Sequence, residues 1–149
     1  MLAIANLSET AEQSAPIGSL CELVVRLYDL AIAHFETAAE AAERNDIVAR
    51  FQATSSAADI IAQLQLALDH SVGGQIAENL DQLYGFILTQ LPMVNLDNDA
   101  ALARRLGDLL QPLRQSWVEL DRQYGRKGDD LANVLPAPAN TVAELTAAI

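Results

Sequence analysis

Residues 73–91 read GGQIAENLDQLYGFILTQL and decide the fold class of this chain. A flexible glycine pair opens the stretch, and large apolar residues then recur every three or four positions. These residues are Ile76, Leu80, Leu83 and Ile87. Their spacing is the period of an amphipathic α-helix that turns one face to a core. The stretch therefore predicts a helix over 75–95, and the glycine pair predicts the turn before it.

Three further segments show the same helical period. We predict helices over 19–44, 46–70 and 99–123, separated by connections of a few residues. No alternation typical of β-strands continues for more than a few residues. Four amphipathic helices with short connections predict an all-α fold, namely an antiparallel up-down four-helix bundle.

Local signals place the ends and bends of these helices. Ser19 opens an S-x-x-E capping box, which predicts the start of the first helix. Ile47 and Phe51 are assigned to the core-facing stripe of the second helix. Pro92 is predicted to kink or shorten the third helix, and Pro112 to bend the fourth.

The bundle is assigned to residues 19–124. Residues 1–18 are predicted to form an N-terminal arm, whose apolar side chains, such as Leu2 and Ile4, could dock on the bundle. Residues 125–149 contain glycine, proline and mixed charge, and are predicted to form a linker and a flexible C-terminal tail.

The charge of the chain limits its partners. Nine basic residues stand against twenty acidic ones, which gives a formal net charge of −11. Such a chain repels phosphate backbones and anionic lipids, so nucleic acid is not an expected partner. A neutral or basic protein partner is favoured instead.

The chain is predicted to be cytoplasmic and not to insert into membranes. No apolar run approaches the ~20 residues of a membrane span, and the N-terminus lacks the basic region of a signal peptide. The single cysteine, Cys21, lies among apolar residues and is interpreted as a small core residue.

The sequence offers little for catalysis. A di-iron site in a bundle needs Glu-x-x-His pairs, but neither His34 nor His70 has a glutamate three residues before it. Phosphotransfer domains are four-helix bundles with a surface His-x-x-Lys-Gly motif, and Gly73 replaces that lysine after His70. We therefore predict no enzymatic activity, no cofactor and no metal, with His70 phosphotransfer as an alternative.

Apolar side chains exceed what one core stripe on each helix needs. They lie beside the stripes of the first three helices: Tyr28, Ile32, Ile60, Leu64, Phe86 and Met93. Wider packing inside the bundle explains any one of them. Together they suggest grooves that a partner helix could fill.

Several motifs in order resemble the FliS family of flagellin-specific secretion chaperones. Residues 23–29 (LVVRLYD) are similar to its L-I-x-x-L-Y-D motif, and residues 73–84 (GGQIAENLDQLY) to its G-G-x-I-A-x-N-L-x-x-L-Y motif. Residues 44–46, 95–99 and 113–117 follow at the expected places. The chain departs from the family at Leu30, where the family usually has glycine.

The resemblance implies a cytoplasmic chaperone that binds the C-terminal segment of flagellin, prevents its premature polymerisation and delivers it to the flagellar export apparatus. The residues that we predict to line or support the binding groove are Tyr28, Asp29, Ile60, Leu64, Asn79, Leu83, Tyr84, Phe86 and Ile87. A chaperone of another flagellar export substrate and a plain oligomerising bundle are the alternatives. We expect a monomer or a weak homodimer.

Overall fold

A computed structural model describes residues 17–124 of the chain. The predicted arm and tail lie outside the described residues, except that the first helix begins at Ile17. The helices are α1 (Ile17–Glu43), α2 (Ile47–Leu66), α3 (His70–Asp97) and α4 (Ala100–Tyr124). Over this range the regular structure is entirely helical, which confirms the all-α four-helix bundle.

Two turns meet at one end of the bundle and fix its up-down topology. Asn45 has a φ of 55° and ends α1, and the Asp46 side chain caps α2 by accepting a hydrogen bond from the Ala49 amide at 3.1 Å. Asn98, with a φ of 52°, ends α3, and its side-chain amide donates to the Ala42 carbonyl at 3.1 Å. The α1–α2 and α3–α4 turns are therefore neighbours.

The opposite turn differs from the sequence prediction. α2 ends at Leu66, and Asp69 caps α3 by accepting hydrogen bonds from the amides of Ser71 and Val72. The glycine pair thus lies inside α3 and does not form the connection. Gly74, with a φ of 52°, breaks the helical geometry of α3 after one turn, because glycine adopts this conformation without a Cβ clash.

The structure corrects the predicted start of α1 and excludes the predicted shortening of α3 at Pro92. α1 begins at Ile17, two residues before the start that the capping box predicts at Ser19. Pro92 lies inside α3, which continues to Asp97, and the one non-helical residue of this helix is at Gly74. The proline therefore does not shorten the helix. α4 likewise continues through Pro112.

The core runs along the axis of the bundle. The largest fully buried side chains are Val24, Tyr28, Phe35, Ile61, Leu64, Leu83, Tyr84, Ile87, Leu106, Leu110 and Leu113. The hydroxyl oxygens of Tyr28 and Tyr84 lie 2.5 Å apart, so the two buried phenols satisfy each other. Cys21 is buried, in agreement with the sequence prediction.

The helices pack in the order α4, α1, α2, α3. α1 packs along both α4 and α2, and α3 packs mainly along α2. α3 and α4 make few contacts, so the ring of helices closes least tightly between them. Gly107 favours close packing of α4 on α1, since a Cβ there would lie only 3.3 Å from the Cβ of Phe35.

The turn residue Asn98 links the α1–α2 and α3–α4 turns through its side chain. Its side chain accepts from Arg50 and donates to Ala42 and Asn45, and its backbone is left-handed. Asn98→Ala removes these bonds and places an alanine in the disfavoured region, so we expect a loss of about 2–4 kcal/mol in the free energy of unfolding.

The matched variant is Asn98→Gly, which loses the same hydrogen bonds but tolerates the backbone conformation. We expect urea unfolding, followed by circular dichroism, to show a smaller loss, by about 1 kcal/mol, than for Asn98→Ala. Equal losses would mean that the backbone conformation contributes nothing at this turn.

Alkaline pH should destabilise the bundle. Burial raises the pKa of Tyr28 to about 12, and burial together with the charge of Asp121 raises the pKa of the Cys21 thiol to about 11. The folded state therefore favours the protonated forms. The stabilisation from Cys21 is complete below about pH 9 and is lost as the pH rises from 9 to 11, while that from Tyr28 is complete below about pH 10 and is lost from 10 to 12. Within its own range each loss amounts to about 1.4 kcal/mol per pH unit.

We expect the urea midpoint to fall steadily between pH 9 and pH 11. Burial also raises the pKa of Tyr84 well above its ordinary value. Tyr28→Phe removes one of these three groups, so its midpoint should fall less steeply above pH 10 than that of the unmodified chain. A midpoint that does not change up to pH 11 would contradict the prediction.

Candidate partner-binding surface

Five of the nine predicted site residues lie in the core. Tyr28, Leu64, Leu83 and Ile87 are completely buried, and Tyr84 is 1 % exposed. In this conformation no partner can reach them. They hold the scaffold together and can support a groove, but they cannot line one.

The other four predicted residues reach the surface. Ile60 and Phe86 are half-buried and pack against the core at their inner sides. Asn79 is half-buried and accepts a hydrogen bond from Gln75 at 2.8 Å, one turn earlier on α3. Asp29 is exposed and forms an ion pair with Arg114 of α4. Asn79 and Phe86 are seven residues apart and share a side of α3, whereas Ile60 lies on α2 and Asp29 on α1.

Sequence reasoning missed the most exposed apolar cluster. Four large side chains, which we call the apolar patch, lie at the start of α2 and the end of α3: Ile47 (67 % exposed), Val48 (67 %), Phe51 (62 %) and Leu96 (76 %). The assignment of Ile47 and Phe51 to the core stripe was wrong.

A polar network explains why Ile47 and Phe51 face outward. Arg50 is 7 % exposed, and its Nε donates to the Asn95 side chain at 3.2 Å, while another guanidinium nitrogen donates to Asn98. Asn95 in turn donates to the Thr54 hydroxyl at 2.8 Å. Polar residues thus occupy the inward positions of the first turns of α2, and this rotation places Ile47 and Phe51 on the surface.

The same network places the parts of the apolar patch beside each other. Arg50 and Thr54 of α2 contact Asn95 of α3, so the start of α2 adjoins the end of α3. Phe51 follows Arg50, and Leu96 follows Asn95. The patch is therefore one surface at one end of the bundle, next to the two turns that meet there.

Small side chains continue this surface along α2. With about 100° of rotation per residue, Ala58 and Ala62 share a side of α2 with Ile47 and Phe51. Both alanines are half-buried, and Leu66, at the other end of the helix, is 78 % exposed. We call this side, from Ile47 to Leu66, the outer face of α2. Large apolar residues at both ends and small ones between them leave room for a helix.

The described residues hold little that resembles catalytic chemistry. Within 17–124 no group of three or more His, Cys, Asp or Glu side chains could hold a metal ion. Burial raises the pKa of the Cys21 thiol to about 11, which leaves it a poor nucleophile. His70 is an exposed first residue of α3, directly after the capping Asp69.

Comparison with known proteins identifies the family. The sequence profile described as "Flagellar protein FliS" matches residues 4–124, which is most of the chain. The chain belongs to the FliS family. This confirms the resemblance that the sequence motifs indicated, and it assigns the bundle to the chaperones of flagellar export rather than to a family of enzymes.

Individual relatives agree with the FliS assignment. The flagellar secretion chaperone FliS of Salmonella typhimurium (strain LT2) is 32 % identical over 112 residues, which cover 74 % of this chain and 83 % of that protein. FliS of Vibrio cholerae serotype O1 is 30 % identical over 84 residues, or 56 % of this chain and 62 % of that protein. FliSB of Pseudomonas aeruginosa is 35 % identical over 77 residues, or 52 % of this chain and 61 % of that protein.

The exposed apolar surface of the bundle agrees with a role in the FliS family. A secretion chaperone works by contact with another protein, and such contact requires accessible apolar area on a rigid scaffold. Within residues 17–124 the apolar patch and the outer face of α2 supply that area. No helix among these residues is long and apolar enough to cross a membrane.

Proposed function

We propose that this FliS protein binds the C-terminal segment of flagellin on the apolar patch and the outer face of α2. One observation supports this location of the binding site. The large apolar side chains at two adjoining helix ends are exposed, namely Ile47, Val48, Phe51 and Leu96. Isolated apolar residues are common on protein surfaces, but contiguous ones mark contact sites.

Energetics favour a long interface. Full burial of one large apolar side chain contributes about 1.5–3 kcal/mol, while fixing the backbone of each residue of a disordered ligand costs about 1–2 kcal/mol. The four side chains of the apolar patch alone offset the ordering of only a short segment. The flagellin segment therefore extends along α2 and contacts further residues.

Three of the predicted site residues suit such an extended interface. Ile60, Asn79 and Phe86 are half-buried and can be covered by a segment that continues around the bundle. Asn79 can offer its side-chain amide to a ligand backbone. The five buried residues, from Tyr28 to Ile87, act by keeping α1, α2 and α3 in place.

The export role follows from binding. A flagellin segment that is held against α2 cannot pair with other flagellin subunits, and the complex can be presented to the flagellar export apparatus in the cytoplasm. We propose a monomer or weak homodimer as the working form. Sedimentation at micromolar concentration distinguishes this form from a stable oligomer that buries the apolar patch against itself.

The decisive experiment is a titration of the full chain with a C-terminal flagellin peptide of about 40 residues from the same bacterium. We expect binding at micromolar concentration or below, and no binding at tens of micromolar would contradict the proposal. A C-terminal peptide of another filament protein serves as the comparison. Preference for that peptide would favour the alternative of another export substrate.

A further inference from the structure

Ion pairs are distributed unevenly over the bundle. In the described residues each of them lies on α1 and α4: Arg26–Glu22, Arg104–Glu36, Arg104–Glu43, Arg114–Asp29 and Arg122–Glu119. The carboxylates of this half of the bundle are thus largely neutralised by arginines of the same half.

The half formed by α2 and α3 has no such compensation. Between residues 47 and 97 the sequence has five carboxylates and one basic side chain, Arg50, which is buried and bonded to asparagines. Asp59, Glu78 and Asp97 are exposed, and they form no ion pair with the described residues. On α2 and α3 themselves the surface that contains the apolar patch therefore has an acidic rim, and the adjoining α1–α2 turn adds one exposed arginine, Arg44, and one aspartate, Asp46.

The positions of these carboxylates match the apolar surface. Asp59 lies on α2 between Phe51 and Leu66, about 12 Å along the helix axis from Phe51. Asp97 follows Leu96 of the patch directly. A ligand helix that covers the outer face of α2 would bring its flanking side chains close to both.

From this charge pattern we propose that the segment that docks on α2 and α3 is an amphipathic helix whose apolar stripe is flanked by Lys or Arg side chains. The inference rests on the proposed function and specifies the chemistry of the bound segment. The carboxylates of α2 and α3 accelerate its association and orient it, while the apolar patch provides most of the affinity.

Two synthetic peptides of about 20 residues, long enough to cover α2, test the inference. They share one Leu/Ile stripe and carry either Lys or Glu at the flanking positions. At about 0.05 M NaCl we expect the Lys peptide to bind the full chain at least about 10-fold more tightly than the Glu peptide. The difference should shrink at about 0.5 M NaCl, since salt screens exposed charges. Equal binding of the two peptides would overturn the inference.

Charge-neutralising variants test which carboxylates cause the preference for the Lys peptide. Asp59→Asn with Asp97→Asn should weaken binding of the Lys peptide about 3- to 10-fold at low salt, chiefly through slower association. Glu40→Gln with Asp108→Asn changes the net charge equally at exposed positions of α1 and α4, and should leave binding unchanged. If the two double variants lose the same affinity for the Lys peptide, the attraction comes from the net charge of the whole chain. That result would overturn the inference.

Competition separates this inference from the proposed function. Displacement of the flagellin peptide by the Lys peptide supports both. Flagellin binding that is neither displaced by the Lys peptide nor weakened by the Asp59/Asp97 double variant leaves the proposed function intact and overturns the inference. Binding of the Lys peptide without flagellin binding overturns the proposed function instead.

Discussion

Replacing Phe51 and Leu96 together with serine should lower the affinity for the flagellin segment by at least about 100-fold. If each side chain contributes about 1.5–3 kcal/mol when a ligand covers it, the pair contributes about 3–6 kcal/mol, and 1.4 kcal/mol corresponds to a tenfold change in affinity. Phe51 and Leu96 are 62 % and 76 % exposed in the free chain, so the free energy of unfolding should change by less than about 1 kcal/mol.

Isothermal titration with the flagellin peptide and urea unfolding measure the two quantities on the same preparation. The matched control is Leu30→Ser, which removes an apolar side chain of α1 that is 52 % exposed and lies outside the apolar patch. We expect this variant to bind normally. Unchanged binding by the Phe51/Leu96 variant, with its folding intact, would show that flagellin occupies another surface.

The fold could be predicted because helix periodicity is repeated in four segments. A stripe such as Leu80, Leu83 and Ile87 recurs at the helical spacing, and the structure buries all three. The predicted helix ends were less accurate. The glycine pair suggested a turn, but Asp69 caps α3 before it, and Gly74 provides a break inside the helix. Aspartate and glycine occur both at helix caps and in turns between helices, so the residue types alone did not show which residues form the connection.

The position of the surface was harder to predict than the fold. The periodicity of α2 placed Ile47 and Phe51 inward because apolar residues normally fill the core. Their true orientation depends on Arg50, whose buried guanidinium is bonded to Asn95 of α3 and to Asn98 of the turn that follows it. These partners are 45 and 48 residues away in the sequence. A contact between residues so far apart in the sequence produces no periodic pattern in α2, although it fixes the orientation of that helix.

The predicted site contains both core residues and surface residues, and helical periodicity alone does not distinguish them. Leu83 and Phe86 are three residues apart on α3, and both are apolar. The structure buries Leu83 completely and leaves Phe86 half-buried. Sequence spacing gives the direction of a side chain around its helix, but the depth of burial depends on how near the neighbouring helices lie.

Truncating Leu83 to alanine should therefore affect folding far more than binding. Loss of a fully buried leucine and the cavity that it leaves cost about 2–5 kcal/mol, a large share of the 5–15 kcal/mol that stabilise a typical domain. We expect urea unfolding to show this loss. The affinity of the folded fraction for the flagellin peptide should stay within about threefold of the original, which corresponds to less than 1 kcal/mol.

Phe86→Ala is the matched comparison on the same helix. Because Phe86 is half-buried, it contributes less to the core, and the surface that it presents is available to a flagellin segment that continues past α2. We expect its truncation to weaken binding more than that of Leu83 and to destabilise the fold less. If Leu83→Ala instead lost affinity while remaining folded, the ligand would have to reach the core. The weakly closed side between α3 and α4 would then be the route by which it enters.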